Sequence, residues 1–167
     1  QWQQQLGHLY QQQGNLDKAT KIYGSAVDSL ERVRGNILSA NPDLQFSFKE
    51  KVEPIYQEYL RLLLAASTPN LSQVIQTNER LQLAELENFL QCGRLNLISP
   101  NDIQNVTLPA VIHILNLNNQ VEVIVRSSNG SLHRHTPDYK LVKRNADNLL
   151  LNLQNERFLY TDERIIL

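Results

Sequence analysis

The chain has 167 residues, of which 41% are hydrophobic and 20% charged, and this composition is typical of a globular protein rather than a disordered one. Sixteen Lys and Arg residues against 17 Asp and Glu residues give a net charge of -1, which argues against nucleic acid or an anionic membrane as the main partner. The single cysteine, Cys92, excludes an internal disulfide and a thiolate-based zinc finger. The N-terminus has neither an initiating Met nor a signal-peptide pattern, so we expect a piece excised from a longer protein.

Apolar residues at helical spacing predict two helices at the start of the chain. The first should end at Gly14-Asn15, and the second should run to about Ser39. Small and aromatic residues in these helices match the spacing of a tetratricopeptide repeat, in which small side chains let two antiparallel helices approach closely. The alternative is a generic helical hairpin. The matching residues are Leu6, Gly7, Tyr10, Gly14, Ala19, Tyr23 and Ala26.

One such repeat cannot bury its own apolar faces, because about three stacked units are usually needed. Trp2 and Leu6 lie where a preceding repeat would pack, so we expect an exposed apolar patch there that binds a protein partner or a second copy of the chain. The predicted interaction residues are Trp2, Leu6, Gly7, Tyr10, Ala19, Tyr23 and Ala26.

Two further helices, over residues 53–66 and 70–92, should complete the helical stack. Pro54 either begins the first of them or kinks it, and Asn70 can cap the second. Residues 1–93 are therefore predicted to form a helical region with tetratricopeptide-like hairpins, and residues 94–109 a connector.

Beyond the connector, the pattern predicts three strands, over 111–115, 121–125 and 132–135, with a tight turn at Asn129-Gly130. The short connections favour an antiparallel meander. A helix should follow from Pro137-Asp138 to about Asn155 and cover the sheet. The predicted fold class is therefore α+β. The candidates for the buried side of this last helix are Leu141, Val142, Leu149 and Leu153.

The segment over residues 43–56, DLQFSFKEKVEPIY, resembles the helical linker that precedes the C-terminal domain in bacterial CHAT proteins, which are caspase-like domains associated with tetratricopeptide repeats. The segment over 81–90, LQLAELENFL, is similar to the next helix of that family, and residues 110–135 resemble the opening strands of the CHAT domain. The resemblance implies that residues 110–167 are the N-terminal portion of a caspase-like domain.

This resemblance also implies a His–Cys dyad, which would lie downstream of the residues present here. No nucleophile motif surrounds Cys92, and a catalytic cysteine needs a nearby imidazole and an electropositive setting. We therefore predict a non-catalytic protein-interaction scaffold that needs no cofactor and joins the repeats to the rest of the CHAT domain in the parent chain. The alternative is an incomplete cysteine peptidase that is active only with its downstream half.

A third hypothesis is a metal or ligand site at His133 and His135, which alternate on a predicted strand and project from one face. No third ligand stands at a suitable spacing, so a solvent-facing pair is the favoured interpretation. His113 is interpreted as marking a strand face rather than as a general base.

Overall fold

The computed structural model describes residues 2–37, 48–90, 95 and 109–154. In these ranges, four α-helices precede a three-stranded sheet and a fifth follows it, which confirms the predicted α+β class. The elements are α1 (Trp2–Gln12), α2 (Leu16–Ile37), a π-helical turn (Phe48–Val52), α3 (Glu53–Ala65), α4 (Leu71–Leu90), β1 (Val111–Asn116), β2 (Val121–Arg126), β3 (Leu132–His135) and α5 (Tyr139–Gln154).

The hairpin of α1 and α2 forms where the spacing predicts it. Gly14 adopts a φ of 73° in the turn, a left-handed conformation that side chains other than glycine rarely adopt. Tyr23 of α2 lies against Gly7 of α1, and a Cβ atom at Gly7 would approach the Tyr23 ring to 2.6 Å. The predicted role of a small residue at Gly7 is therefore confirmed, because the helices could not pack this closely with any side chain there.

α3 lies at the centre of the helical region and packs on both α2 and α4. Pro54 is in its first turn, so this proline begins the helix rather than kinking it. The Asn70 side chain caps α4, as predicted, by accepting a hydrogen bond from the Gln73 amide at 3.1 Å. Eight of the 13 residues of α3 are buried, namely Ile55, Tyr56, Gln57, Tyr59, Leu60, Leu62, Leu63 and Leu64.

The sheet is the predicted antiparallel meander, with the order β1-β2-β3. Gly130 has a φ of 84° in the tight turn between β2 and β3, and its amide donates to the Ser127 carbonyl. Leu115, Leu117 and Ile124 are buried in the same hydrophobic cluster as the side chains of α3. The sheet therefore shares one core with α2, α3 and α4.

α5 forms where it is predicted, and the Asp138 carboxylate caps it by accepting hydrogen bonds from the amides of Lys140 and Leu141. None of its residues is buried, however. The prediction that Leu141, Leu149 and Leu153 form a buried side is wrong, since all three are exposed, and Val142 is only half-buried. One face of the sheet is already filled by the core around α3, and α5 does not pack on the other face, where Ile112 and Ile114 are exposed.

The predicted end of α2 near Ser39 lies outside the described residues, as do Cys92 and most of the predicted connector over 94–109. Among the helices that the structure describes, none combines the length and the apolar character that a membrane-spanning segment requires.

Candidate protein-interaction site

The seven predicted interaction residues separate into two groups. Five are buried or half-buried, namely Gly7, Tyr10, Ala19, Tyr23 and Ala26, and among them Gly7 and Tyr23 lie against each other between α1 and α2. Only Trp2 and Leu6 of this set remain exposed. The predicted exposed patch at the start of α1 is therefore present, whereas the other five residues belong to or border the core rather than forming an open surface.

Trp2, Leu6 and Leu9 form a continuous apolar stripe on the exposed side of α1, which we call the α1 stripe. Their spacing of four and three residues places them on one side of the helix. Trp2 is 86% exposed, Leu6 40% and Leu9 48%. Leu9 is absent from the predicted set, although its helical spacing from Trp2 identifies it.

The residues of α1 that flank the α1 stripe are polar but uncharged, although Lys18 of α2 lies over the ring of Tyr10. α1 has the sequence WQQQLGHLYQQ and contains no Asp, Glu, Lys or Arg. The side chains next to the stripe are therefore amides and the imidazole of His8, which hydrogen-bonds to Gln12. A partner at this surface would be selected by apolar contact and neutral hydrogen bonds rather than by charge.

A path of hydrogen bonds connects α1 to the sheet through α3. The Gln11 amide nitrogen Nε2 donates to Glu58 Oε2 at 3.3 Å, and Arg61 Nη1 donates to Glu58 Oε1 at 2.5 Å. Arg61 Nη2 then donates to the Leu117 carbonyl at 2.8 Å, just after β1. Glu58 and Arg61 lie one turn apart on α3, so this helix carries the connection from the hairpin to the sheet.

An ion pair between a buried carboxylate and a partly exposed guanidinium makes a second connection between α3 and the sheet. Glu122 on β2 is 0% exposed, and Arg134 on β3 holds its carboxylate with two hydrogen bonds of 2.8 Å, from Nε and Nη2. The remaining guanidinium nitrogen, Nη1, donates to the Leu64 carbonyl in the last turn of α3 at 2.9 Å. Arg134 therefore pairs with Glu122 and also satisfies a helix-terminal carbonyl.

The Glu122 carboxylate receives further hydrogen bonds that keep it ionised. Burial by itself would raise its pKa, but hydrogen bonds from Arg134, Thr136 and Gln120 outweigh burial, so the pKa of Glu122 lies below the usual value. Gln120 Nε2 donates at 2.6 Å, and Thr136 Oγ1 lies within 3.0 Å of both carboxylate oxygens. The site is thus a fully bonded anion rather than a carboxylic acid poised for proton transfer.

The histidines take no part in these connections. His133 and His135 are exposed, as the solvent-facing interpretation predicts. In the part of the chain that the structure describes, no three His, Cys, Asp or Glu side chains are grouped so that they could hold a metal ion. His113 is half-buried on the face of the sheet that packs on the helices. Its pKa lies below the usual value, because burial and the positive charge of Arg126 lower it by more than the negative charge of Glu79 raises it.

Comparisons of the chain with protein-family models, with curated proteins and with solved structures find no match.

Proposed function

We propose that this chain is a non-catalytic interaction junction. In this proposal the α1 stripe binds a helix, and the helical region transmits the effect of that binding to the sheet. The observation that carries the proposal is the α1 stripe itself. Three large apolar side chains, including the only Trp of the chain, are exposed on a helix whose opposite side is packed against α2. A contiguous exposed apolar surface of this kind is typical of a protein-interaction site.

The occupant that fits the α1 stripe is an amphipathic helix lying alongside α1. Helical repeats bury such faces by stacking neighbouring helices, and the spacing of residues 6–26 supports a repeat of this type. A preceding tetratricopeptide-like repeat in a longer parent chain, or a partner protein with an equivalent helix, would supply it. Because α1 carries no ionic side chain, we expect this binding to depend little on salt concentration.

The path from Gln11 through Glu58 and Arg61 to the Leu117 carbonyl supports the second half of the proposal. A helix bound at α1 would restrict the hairpin, and the restriction would reach the β1–β2 turn through side chains that are already bonded. The resemblance to CHAT proteins gives this sheet a role, as the opening part of a caspase-like domain whose state depends on what the repeats bind.

The binding surface can be tested by fusing one consensus tetratricopeptide repeat to the N-terminus of the chain. Stacking on the α1 stripe should bury Trp2, shift its fluorescence emission to shorter wavelength and raise the free energy of unfolding. Leu6→Asp should abolish both effects in the fusion. In the unfused chain the same substitution should change stability by no more than about 0.5 kcal/mol, because Leu6 is on the surface.

His8→Asp is the matched control, since it introduces the same charge two residues away on the polar side of α1. It should leave the emission shift intact. An unchanged Trp2 spectrum in the fusion, or an equal effect of both substitutions, would show that helices do not stack on this stripe.

Passage of binding to the sheet can be followed by hydrogen exchange over residues 111–126, with and without the fused repeat. We expect slower exchange at the β1–β2 turn in the fusion, and loss of that difference in Arg61→Met. Arg80→Met is the control, because the ion pair of Arg80 with Asp28 is exposed and lies away from the sheet connection. If the fused repeat slows hydrogen exchange only in α1 and α2, the α1 stripe binds a helix but does not transmit that binding to the sheet.

A further inference from the structure

The two faces of the sheet differ in what covers them. Leu115, Glu122 and Ile124 point toward the helices and are fully or almost fully buried. The opposite face, which we call the outer patch, is formed by residues that pair across the strands. Ile112 pairs with Val125 and Ile114 with Val123, and the two valines in turn pair with His133 and His135.

The outer patch is apolar at its centre, and none of the described helices packs on its two isoleucines. Ile112 is 64% exposed and Ile114 63% exposed, although both are β-branched residues of a type usually buried. Val123 and Val125 are half-buried beside them, Val121 at the end of the same face is buried, and the two histidines form the rim. A group of adjacent aliphatic side chains, of which two are exposed, is more than a single exposed residue, which is common on surfaces.

The second uncovered apolar surface lies on α5. Its stripe comprises Leu141, Val142, Leu149, Leu150 and Leu153, which follow helical spacing and are exposed or half-buried. The other side of the helix carries charged residues, among them Lys143 and Asp147, which form an ion pair at 3.8 Å. An amphipathic helix of this kind normally buries its apolar stripe against another element.

We propose that the outer patch binds α5 of a second copy of this chain, so that two copies form a symmetric dimer by exchanging this helix. Within the residues that the structure describes, each copy displays a sheet face on which no helix packs and a helix that packs on no sheet, and the two surfaces are exposed in the same conformation. A second copy supplies both missing partners at once, through two identical helix-on-sheet contacts related by a two-fold axis.

The electrostatics of the contact favour the same occupant. The aliphatic residues of the outer patch and of the α5 stripe carry no charge, so bringing them together desolvates no ion. The net charge of the chain is -1, which gives little repulsion between copies. A reciprocal exchange between two copies uses both surfaces of each copy and closes as a dimer, whereas a one-way contact would continue as a filament.

The test is the oligomeric state of the full chain, measured by sedimentation velocity from low micromolar to near-millimolar concentration. We expect a monomer–dimer equilibrium. Ile114→Thr, which keeps a β-branched residue in β1, and Leu149→Gln, which keeps a good helix former in α5, should each weaken the dimer by about tenfold or more. Asn148→Gln is the matched control on α5 and should leave the equilibrium unchanged.

A complementary pair of variants tests the exchange itself. Ile114→Asp in one chain and Leu149→Lys in another should each prevent homodimers, whereas the mixture should form heterodimers. Pairing of patch with patch would leave the Leu149→Lys homodimer intact, and pairing of helix with helix would leave the Ile114→Asp homodimer intact. Either result would contradict the proposal.

Two further outcomes would overturn it. The first is a chain that is monomeric at every concentration and in which Ile114→Thr and Leu149→Gln each lower the free energy of unfolding, since this would show that α5 packs on its own sheet. A dimer that is insensitive to both substitutions but is lost in Leu6→Asp would place the contact at the α1 stripe. The α1 stripe and the outer patch are separate surfaces, so the failure of one proposal leaves the other standing.

Discussion

α3 and α5 are amphipathic helices of similar length, with 13 and 16 residues, and each follows a well-defined start signal in the chain. Eight residues of α3 are buried, whereas none of α5 is. The two helices also differ in their connections to the sheet. Side chains and carbonyls of α3 bond to residues of the sheet at both Leu117 and Arg134, whereas α5 follows β3 directly and buries nothing.

This difference shows that the local sequence determines where a helix starts, but not whether the helix is buried. The caps at Asn70 and Asp138 and the proline at the start of α3 act within one turn, and they place helix starts correctly in both halves of the chain. Burial depends on neighbours instead. α3 lies between α2, α4 and the sheet, and its run Leu62-Leu63-Leu64 widens the apolar face beyond a single stripe, which suits a helix with neighbours on several sides.

The difference in burial between α3 and α5 can be measured by truncating one leucine in each helix and comparing the loss of stability. Leu60→Ala in α3 removes a 0% exposed side chain from the core and should cost about 2–5 kcal/mol of unfolding free energy. Leu151→Ala in α5 removes a side chain that is 65% exposed and lies outside the α5 stripe, and it should change stability by no more than about 0.5 kcal/mol. Urea denaturation followed by circular dichroism gives both values. Equal costs would mean that α5 is buried in solution.

A somewhat smaller effect is expected where the end of α3 meets the sheet. Glu122→Leu leaves the Arg134 guanidinium without its carboxylate, and we expect it to lower the free energy of unfolding by about 3 kcal/mol. This value is near the lower end of the range for broken buried ion pairs, because the Arg134 side chain is 27% exposed. Removing both charges, in Glu122→Leu with Arg134→Met, should cost less than the sum of the two single substitutions. Strict additivity in this double-mutant cycle would rule out the pair as the link between α3 and the sheet.

The smallest expected effect is the pH dependence of the same pair. The pKa of Glu122 lies below its usual value of 4.5, so its ionised form stabilises the fold above that pH, and this contribution is lost as the pH falls toward the pKa in the folded state. Glu122→Gln should therefore lose less stability than the wild type when the pH is lowered below about 4.5.

Glu85→Gln should shift the pH profile in the opposite direction. Partial desolvation raises the pKa of Glu85, although the residue is exposed, and the nearby Glu53 raises the pKa further, so protonation of Glu85 favours the folded state. The wild type therefore gains stability from this group on acidification, and the variant lacks that gain. Parallel profiles for the wild type and both variants would contradict the assignments at Glu122 and Glu85.

Much of the fold follows from local patterns. The spacing of apolar residues predicts all five α-helices of the described ranges. Runs rich in β-branched residues predict β1 and β2 to within one residue at their ends, and the turn signal at Asn129-Gly130 places the start of β3. The close approach at Gly7 is also predictable, because a tyrosine that faces α1 at repeat spacing needs a residue without a side chain opposite its ring. These features need only neighbours within a few residues, or one packing partner in the same hairpin.

The faces of the sheet could not be predicted in the same way. In β2 the residues on both sides of Glu122 are valines, so alternation would place the carboxylate in solvent. The ion pair with Arg134 and the hydrogen bonds from Gln120 and Thr136 allow it to be buried instead. Likewise, the pattern in β1 favours burial of Ile112 and Ile114, whereas their side is exposed and the side of His113 faces the helices. A period of two fixes which residues share a side but not which side is covered. That depends on contacts between residues as far apart as Leu64 and Arg134.

The exposure of Trp2 decides how this protein should be studied. Its indole already lies almost entirely in water in the native state, so denaturation would leave its emission spectrum nearly unchanged, and a melting curve recorded through it would be flat. Three tyrosines in the core, Tyr23, Tyr56 and Tyr59, are the aromatic groups whose near-ultraviolet dichroism would disappear on unfolding. One chromophore therefore responds to what touches the first helix, and the others respond to whether the interior is intact.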